Sequence, residues 1–162
     1  MYIKRKLSDS LTTFKGLRFG RTSSKKSFHR YRVTVGIGGN LGDVKRRFER
    51  LFIYFKRDKR VTLLRTSLIL KNPPFGFANQ DDFFNSIIVL KTSMQPKVFL
   101  DYLMRVEKKF ARKRSFANAP RTLDLDIIFF DDRVVKTSKL QIPHAEWEKR
   151  ESVLIPLMDI YK

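Results

Sequence analysis

The sequence predicts an α+β protein of the ferredoxin-like type, a βαββαβ sandwich in which helices flank an antiparallel sheet. Three observations support this fold class. Four segments have the apolar and β-branched character of strands, two others carry apolar residues at helical spacing, and these two helices follow the first and third strands. With 162 residues and 42% apolar side chains, the chain is long enough for one domain with its own core.

The first strand and the first helix are predicted on either side of a glycine turn. Residues 31–37 alternate, with Val33, Val35 and Ile37 on one face. Residues 44–56 are predicted to form a helix, because apolar residues recur every three or four positions with Lys and Arg between them. This apolar stripe consists of Val44, Phe48, Leu51, Phe52 and Phe55.

The remaining elements are predicted from the same patterns. A second helix is expected over residues 96–111, since Pro96 is favourable in a first turn. Its inward stripe consists of Phe99, Leu103, Val106 and Phe110. Further strands are expected at residues 61–70, at 83–91 and from Leu123, with residues 133–135 returning beside the last one as a hairpin partner.

Half of the formal charge of +19 lies near the N-terminus. Residues 1–32 carry ten Lys or Arg against one acid, Asp9, whereas residues 33–162 carry 25 against 15. Because the N-terminal segment is rich in Ser and Thr and lacks helical or strand periodicity, we predict a basic, flexible or loosely docked extension over residues 1–31 and a folded domain over 32–162. The charge itself predicts an anionic partner, for which nucleic acid, an anionic membrane and nucleotide phosphates all qualify.

Composition excludes several classes of protein. No apolar run approaches the roughly 18 to 20 residues that cross a bilayer, and the N-terminus lacks the apolar stretch of a secretion signal. The sequence contains no cysteine, which excludes disulfides and thiolate metal sites and fits a reducing compartment. We therefore expect a soluble, cytoplasmic protein.

Four glycines, at positions 36, 38, 39 and 42, mark the turn between the first strand and the first helix. A phosphate-binding Walker loop ends in Lys followed by Ser or Thr, but here Asp43 and Val44 follow Gly42. The dinucleotide-binding fingerprint has a different glycine spacing. These glycines therefore predict a tight strand-to-helix turn rather than a phosphate site.

Paired acids at the start of the fourth strand are the strongest functional signal. Alternate side chains of a strand share a face, so Asp124 and Asp126 point the same way, about 6.6 Å apart along the backbone. Two like charges on one face repel unless a cation lies between them. The apolar residues 127–130 that follow indicate that the strand continues into the core. We therefore predict a metal site at Asp124 and Asp126.

Basic residues are concentrated just before these acids, at Lys108, Lys109, Arg112, Lys113, Arg114 and Arg121. A solvated helix end explains the lysines, because cations complement the helix dipole. It explains Arg112 and Arg114 less well, since they flank the loop that brings Arg121 to the acidic strand. Cations beside paired carboxylates favour a polyphosphate carried with Mg²⁺, which links the acids to phosphate oxygens.

Two further features stay open from the residues alone. The loop over residues 72–85 is rich in Pro and Phe, and its aromatic rings either cap the core or form a lid on which a planar ligand stacks. A lone histidine such as His144 is usually structural, and the residues alone assign it no chemistry.

The run Arg121-Thr122-Leu123-Asp124-Leu125-Asp126 occurs together with four shorter blocks, Gly38-Gly39-Asn40-Leu41, Pro73-Pro74-Phe75-Gly76, Phe83-Phe84-Asn85 and Pro143-His144. In this order and at this spacing, the blocks resemble the 6-hydroxymethyl-7,8-dihydropterin pyrophosphokinase family of folate biosynthesis, over residues 33–160. The first block is highly specific and the others are supportive. The resemblance implies a ferredoxin-like enzyme that transfers pyrophosphate from ATP to 6-hydroxymethyl-7,8-dihydropterin and releases AMP.

The resemblance also implies roles for individual residues. Asp124 and Asp126 would ligate two Mg²⁺ ions, and these two acids would act in catalysis with Arg112 and Arg121. The ATP-binding residues that it implies are Glu107, Arg112, Arg114, Arg121, Ile127, His144 and Arg150. The pterin-binding residues that it implies are Pro73, Pro74, Phe75, Phe83, Asn85 and Asp124. Residues 72–83 and 112–121 correspond to mobile lids.

The sequence departs from the family pattern at one wall of the pterin site. The family has a second stacking aromatic two residues after Arg150, where this chain has Ser152. Phe77 and Trp147 are the candidates to replace it. In the second lid, Phe116 is the aromatic candidate for a tryptophan that the family usually carries.

Two alternatives to this enzyme are considered. A ferredoxin-like nucleic-acid-binding module is favoured by the charge and the phenylalanines, but no RNP-type aromatic block falls on a predicted strand, and acids on a binding strand would repel phosphates. The other alternative is an inactive relative that binds through its basic extension. The sequence favours a monomeric, Mg²⁺-dependent enzyme without a membrane or nucleic-acid partner.

Overall fold

The structure is a computed structural model that describes residues 1–113 and 115–162. These residues form three helices, α1 (Val44–Arg57), α2 (Pro96–Lys109) and α3 (Glu151–Ile160). They also form ten strands, β1 (Ile3–Lys6), β2 (Thr12–Lys15), β3 (Arg21–Thr22), β4 (Tyr31–Gly39), β5 (Val61–Thr66), β6 (Ile69–Asn72), β7 (Phe83–Thr92), β8 (Asp124–Phe130), β9 (Val135–Lys136) and β10 (Gln141–Ile142).

The predicted βαββαβ order is present in the main sheet. Strand β4 pairs antiparallel with β7 on one side and with β8 on the other. Strand β7 also pairs antiparallel with β5 and β6, which follow α1 in the chain. Helix α2 connects β7 to β8. The prediction of an α+β sandwich built on an antiparallel sheet is therefore confirmed.

The strand predicted over residues 61–70 is interrupted at Ser67 and Leu68, which separate β5 from β6. The Ser67 hydroxyl accepts a hydrogen bond from the backbone N–H of Ile87 at 2.8 Å. The backbone N–H of Leu68 donates to the Asp159 carboxylate of α3 at 2.8 Å. Because these backbone N–H groups donate to side chains instead of to a neighbouring strand, the regular hydrogen bonding of the sheet is interrupted here. Strands β5 and β6 then pair with different ends of β7.

Helices cover both faces of the sheet. The predicted stripes of α1 and α2 pack in the main core with alternate residues of β4 and β7, and all their members are buried except Phe52 and Phe110, which are partly buried. Helix α3 packs against β6 and β7, and its Ile160 belongs to a second cluster that contains Ile87, Val89 and Ile128. Helix α3 was not predicted, because its nearly continuous apolar residues and its internal Pro156 obscure a helical period.

Residues 133–135 do not return beside β8, contrary to the predicted hairpin. Strand β9 pairs instead with β10 in a separate two-stranded sheet. The turn after β8 contains Asp131 at a φ of 46°. Asp131 also exchanges hydrogen bonds with the backbone of Arg32 at 2.8 Å. These contacts hold the turn against β4, so the chain does not reverse along β8.

The N-terminal extension is part of the sheet. Strand β2 pairs with β6, β1 pairs with β2, and β3 pairs with β5. Phe14 and Phe19 are buried, and the Phe19 ring is 5.9 Å from the Phe48 ring of α1. The sequence shows no strand periodicity here because strands of two to four residues are too short to show a period. The domain boundary at residue 31 stays a prediction.

In the described part of the chain, each helix is too short or too polar to cross a membrane.

Candidate active site

A cleft opens on the face of the sheet that α3 covers, where β7, β4 and β8 run side by side. Gly38 of β4 pairs with Asn85 of β7 and with Asp124 of β8, and Gly36 pairs with Asp126. Since alternate residues of a strand share a face, the side chains at these positions project into one space. Further lining residues come from the start of β7, from loops and from the start of α3, and include Phe83, Phe75, Asn118, Arg121, His144, Arg150 and Ser152.

Glycines of β4 leave the floor of this cleft open. A Cβ atom at Gly38 would lie 2.6 Å from Oδ1 of Asn85, so only glycine leaves room for this amide. A Cβ atom at Gly36 would lie 3.2 Å from Cδ1 of Ile128. The sequence interpretation assigned both glycines to a tight turn. Their spacing of two was the signal that they share one face of a strand.

The Asn85 amide is held in a fixed orientation. Its Nδ2 donates to Oδ1 of Asn72 at 2.7 Å, and Nδ2 of Asn72 donates to the carbonyl of Pro73 at 2.9 Å. Asn72 is itself buried and was not among the predicted site residues. The Oδ1 atom of Asn85 points over Gly38. Pro73 and Pro74 do not line the cleft, as far as the described residues define it.

Asp124 is neutralised by two arginines. Its Oδ1 accepts from Nη1 of Arg112 at 2.8 Å, and its Oδ2 accepts from Nη1 of Arg121 at 2.9 Å. Arg112 also donates to the carbonyl of Leu123 at 2.9 Å. The two arginine side chains are only 10% and 18% exposed, so these are shielded, charge-assisted hydrogen bonds. The predicted proximity of cations and acids is present in this structure.

Asp126 has a different environment from Asp124. It lies deep in the protein at the cleft floor, yet 47% of its side-chain surface reaches the cleft. Burial, followed by repulsion from Asp124 and Glu107, raises the pKa of Asp126 to about 7, and Arg121 and Arg150 offset this only in part. Positive charge brought into the cleft would favour its ionised form.

His144 lies near Asp126 but does not hydrogen-bond to it, since Nε2 is 4.0 Å from Oδ2. Its Nδ1 accepts from the backbone N–H of Glu146 at 3.2 Å, so in the neutral ring the proton is on Nε2. Burial, and then the charge of Arg150, lower the pKa of His144. The ring is therefore a neutral donor that faces the cleft at physiological pH.

The other predicted ATP-binding residues take different positions. Glu107 is buried and accepts the backbone N–H of Leu125 at 2.9 Å, which fixes the start of β8. The Ile127 side chain belongs to the core on the opposite face, so only its backbone is available to a ligand. Arg114 lies outside the described residues.

Two arginines of the cleft carry buried donors that await a partner. The Nε atoms of Arg112 and Arg150 have no hydrogen-bond partner among the described residues. The guanidinium of Arg150 lies 4.8 Å from the centre of the Phe75 ring, and that of Arg121 lies 5.3 Å from the Phe83 ring. An unsatisfied buried N–H is costly, and an anionic oxygen would satisfy it. The arrangement therefore suits a phosphate-bearing ligand next to aromatic rings.

Neither candidate for the missing aromatic wall lines the cleft in the part of the chain that the structure describes. The Phe77 ring packs edge-on against Phe116 at 5.4 Å, and the Trp147 ring packs against Phe129 at 5.1 Å. Ser152 itself does line the cleft. The aromatic lining consequently comes from the two predicted phenylalanines, Phe75 and Phe83.

Asn40 connects the two loops that border the cleft. Its Nδ2 donates to Oε1 of Gln80 at 2.9 Å and to the carbonyl of Asp81 at 3.0 Å. Its Oδ1 accepts the backbone N–H of Arg121 at 2.9 Å. Gln80 also donates to the carbonyl of Asn118 at 2.8 Å. From sequence, Asn40 was noted only as part of a supporting block, since its partners lie 40 and 81 residues away.

The donor set fits Mg²⁺ better than a metal held by protein ligands alone. Among the described residues, no three His, Cys, Asp or Glu side chains form a cluster that could hold an ion. Mg²⁺ is commonly bound by one or two carboxylates together with substrate phosphates and water. Asp124 and Asp126 supply such a carboxylate pair at the cleft floor.

Comparison with known proteins gives a consistent result. Residues 34–162 match the family model described as 7,8-dihydro-6-hydroxymethylpterin-pyrophosphokinase (HPPK). The chain is 41% identical over 128 residues to a 2-amino-4-hydroxy-6-hydroxymethyldihydropteridine pyrophosphokinase of Helicobacter pylori, covering 78% of each chain. A protein of the same description from Campylobacter jejuni is also 41% identical, covering 79% of this chain and 82% of its own. The folic acid synthesis protein FOL1 of Dictyostelium discoideum is 34% identical over 79% of this chain and 19% of its own length.

Proposed function

Since the chain belongs to the 7,8-dihydro-6-hydroxymethylpterin-pyrophosphokinase family, we propose that it transfers a pyrophosphate group from ATP to 6-hydroxymethyl-7,8-dihydropterin in folate biosynthesis. The observation that carries this proposal is the shared surface of Asn85 on β7 and of Asp124 and Asp126 on β8, on either side of the glycines of β4. It brings an amide suited to a heterocycle edge next to carboxylates suited to a metal-bound phosphate.

The transfer is a displacement at phosphorus. The hydroxymethyl oxygen attacks the β-phosphorus of ATP, the bond from that phosphorus to the oxygen bridging the α-phosphate breaks, and AMP leaves while the hydroxyl proton is lost. Negative charge on the transferring group is stabilised by Arg112, Arg121 and Arg150, whose guanidinium groups converge on the cleft. We extend this role to Arg114 from the sequence. The neutral His144 adds an N–H donor on the same side.

Two Mg²⁺ ions held by Asp124 and Asp126 are part of this proposal. When bound, Mg²⁺ would link the carboxylates to phosphate oxygens and reduce the negative charge of ATP. Asp126 is the more available ligand, because both oxygens of Asp124 already accept hydrogen bonds from arginines. These arginines orient the Asp124 carboxylate before substrate binds.

The pterin is proposed to bind at the β7 end of the cleft. Asn85 would hydrogen-bond to its edge, Phe83 and Phe75 would contact its faces, and the backbone at Pro73 and Pro74 would complete the wall. The oriented Asn85 amide supports this assignment, since Asn72 fixes which atom points to the cleft. A site that hydrogen-bonds a substrate discriminates more strongly than an apolar slot.

AMP formation tests the proposed function directly. We expect AMP from ATP only when both hydroxymethyldihydropterin and Mg²⁺ are present, and we expect Asp124→Asn to abolish it. Asp101→Asn is the matched control, because this aspartate is exposed on α2. Absence of AMP from the well-folded wild-type protein would overturn the proposal. AMP formation independent of the pterin would show that the acceptor is wrong.

The proposal also includes a working state and a location. We propose that the protein acts as a monomer. We infer a cytoplasmic location from the absence of cysteine in a 162-residue sequence, which fits a reducing compartment. Gel filtration with light scattering tests the first inference.

A further inference from the structure

A second large concavity lies away from the cleft, on the side of the sheet that α1 and α2 cover. This groove has a volume of about 900 Å³. It runs between the outer face of α1 and the C-terminal end of α2, and Thr122 lies at its base. The proposed pyrophosphate transfer uses none of its side chains.

The groove is strongly and asymmetrically charged. Five cationic side chains line it, Arg47, Arg50, Arg57, Arg60 and Lys109, against one carboxylate, that of Asp58. Arg60 pairs with Asp58 at 2.8 Å. Within residues 1–113 and 115–162, the other four cations make no ion pair, and Arg47 donates only to the backbone carbonyls of Leu41 and Thr122. In the cleft, by contrast, Arg112 and Arg121 are paired with a carboxylate.

Aromatic surface lies among these cations. Tyr54 and Phe110 both line the groove, are only partly buried, and pack edge to face at 6.2 Å. The ammonium group of Lys109 lies 5.2 Å from the centre of the Tyr54 ring. A flat base stacks on such rings while its phosphate meets the neighbouring cations, which is how proteins bind single-stranded nucleic acid without sequence preference.

From this combination we propose that the groove binds nucleotide units, each a flat base with its phosphate, presented by single-stranded RNA or by a free nucleotide. The sequence alone disfavoured a nucleic-acid partner, because acids on the binding strand would repel phosphates. That objection does not reach the groove, since Asp124 and Asp126 face the opposite side of the sheet. Binding of nucleotide units also explains why unpaired cations are clustered here in a chain of net charge +19, because phosphate groups would neutralise them.

The test uses the whole protein and a fluorescein-labelled 12-residue oligouridylate, with binding followed by fluorescence anisotropy at several salt concentrations. Arg50→Glu/Arg57→Glu changes two exposed groove cations, and we expect it to weaken RNA binding at least tenfold. Each phosphate contact to a single strand contributes about 0.7 to the slope of log K against log salt, so the slope should fall by about 1.4. Pyrophosphate transfer should be unchanged, because neither arginine lines the cleft.

Lys136→Glu/Lys139→Glu is the matched control, since it makes the same charge change at exposed residues around the β9–β10 hairpin. We expect this control to keep most of the affinity. Equal losses in both double variants would mean non-specific attraction to a basic surface and would overturn the proposal. The same holds if the wild-type protein binds neither the oligouridylate nor uridine monophosphate.

Amide chemical shifts separate the two sources of the ligand. Uridine monophosphate that shifts Tyr54 and Thr122 but leaves Asn85 and Asp126 unchanged would indicate a free nucleotide in the groove. Shifts at the groove with the oligouridylate alone would indicate RNA. Shifts confined to the cleft with either probe would overturn the proposal, whatever the outcome of the AMP assay.

Discussion

Asp126→Asn is expected to make the metal-free protein more stable and the enzyme inactive. The pKa of Asp126 is raised to about 7 by burial and by its acidic neighbours, so the folded protein disfavours its ionised form. Asparagine keeps the shape of the side chain and removes the charge. The same change removes the most available carboxylate for Mg²⁺, and turnover should be lost.

The size of the stabilisation follows from the pKa. A change from 3.8 to about 7 corresponds to about 4 kcal/mol of ionisation free energy. Because 47% of the side chain is exposed to the cleft, solvent screening reduces this to about 1–2 kcal/mol. The folded state keeps its proton at pH values where the unfolded chain has lost it. The contribution of Asp126 to the unfolding free energy of the wild type should therefore fall between about pH 4 and about pH 7 and stay constant above that range.

Urea denaturation in EDTA at pH 4 and at pH 8 measures this difference. We expect Asp126→Asn to match the wild type at pH 4 and to exceed it by about 1–2 kcal/mol at pH 8. Added Mg²⁺ with a non-hydrolysable ATP analogue should stabilise only the wild type. Asp101→Asn, at an exposed site, should show no such pH dependence. Equal stability of Asp126→Asn and wild type at pH 8 would refute the electrostatic reasoning, and normal turnover would refute the metal assignment.

Three further predictions concern the fold and the pterin side of the cleft. Phe19→Ala should lower the unfolding free energy by about 3–5 kcal/mol because its ring is fully buried, whereas Phe28→Ala, at an exposed position, should change it by less than about 0.5 kcal/mol. If urea titration finds the two variants equally stable, the N-terminal strands do not pack in solution. Gly38→Ala should raise KM for the pterin about tenfold, since its methyl group displaces Asn85, and an unchanged KM would exclude that contact. Burial opposes ionisation of Asp58, but its hydrogen bonds outweigh burial and lower its pKa to about 2. Asp58→Asn should therefore lower the unfolding free energy by about 1 kcal/mol at pH 7 after solvent screening, and melting curves should show this difference disappearing as the pH falls from about 4 to 2.

The elements with strong local patterns were predictable from sequence. Helix α1 could be predicted because its apolar stripe is continuous and its outer face is basic, and it ends one residue beyond its predicted end. Strand β8 and its two acids were also predicted, since alternation alone places Asp124 and Asp126 on one face. The proximity of Arg112 and Arg121 to the acids was predicted from charges close together in sequence, whereas their ion pairs with Asp124 were not.

The errors share one physical cause, which is dependence on distant partners. Strands β1, β2 and β3 form because β6 and β5 offer free edges, and nothing within so short a segment specifies that pairing. The break between β5 and β6 depends on Ser67 meeting Ile87 across the sheet. From its sequence neighbours Gly38 was interpreted as a turn glycine. The need for a glycine there, which is room for the Asn85 amide, is evident only from the strand register that places Asn85 beside it.

The hydrogen bonds of Asn40 have a consequence for how the two substrates influence each other. One amide holds the backbone at Arg121 and the loop at Gln80 and Asp81, so neither loop moves freely while the other is ordered. A ligand that orders one loop thereby reduces the conformational entropy that the second ligand must remove. We therefore expect positive cooperativity between nucleotide and heterocycle, and reciprocity then requires that each tighten the binding of the other by the same factor.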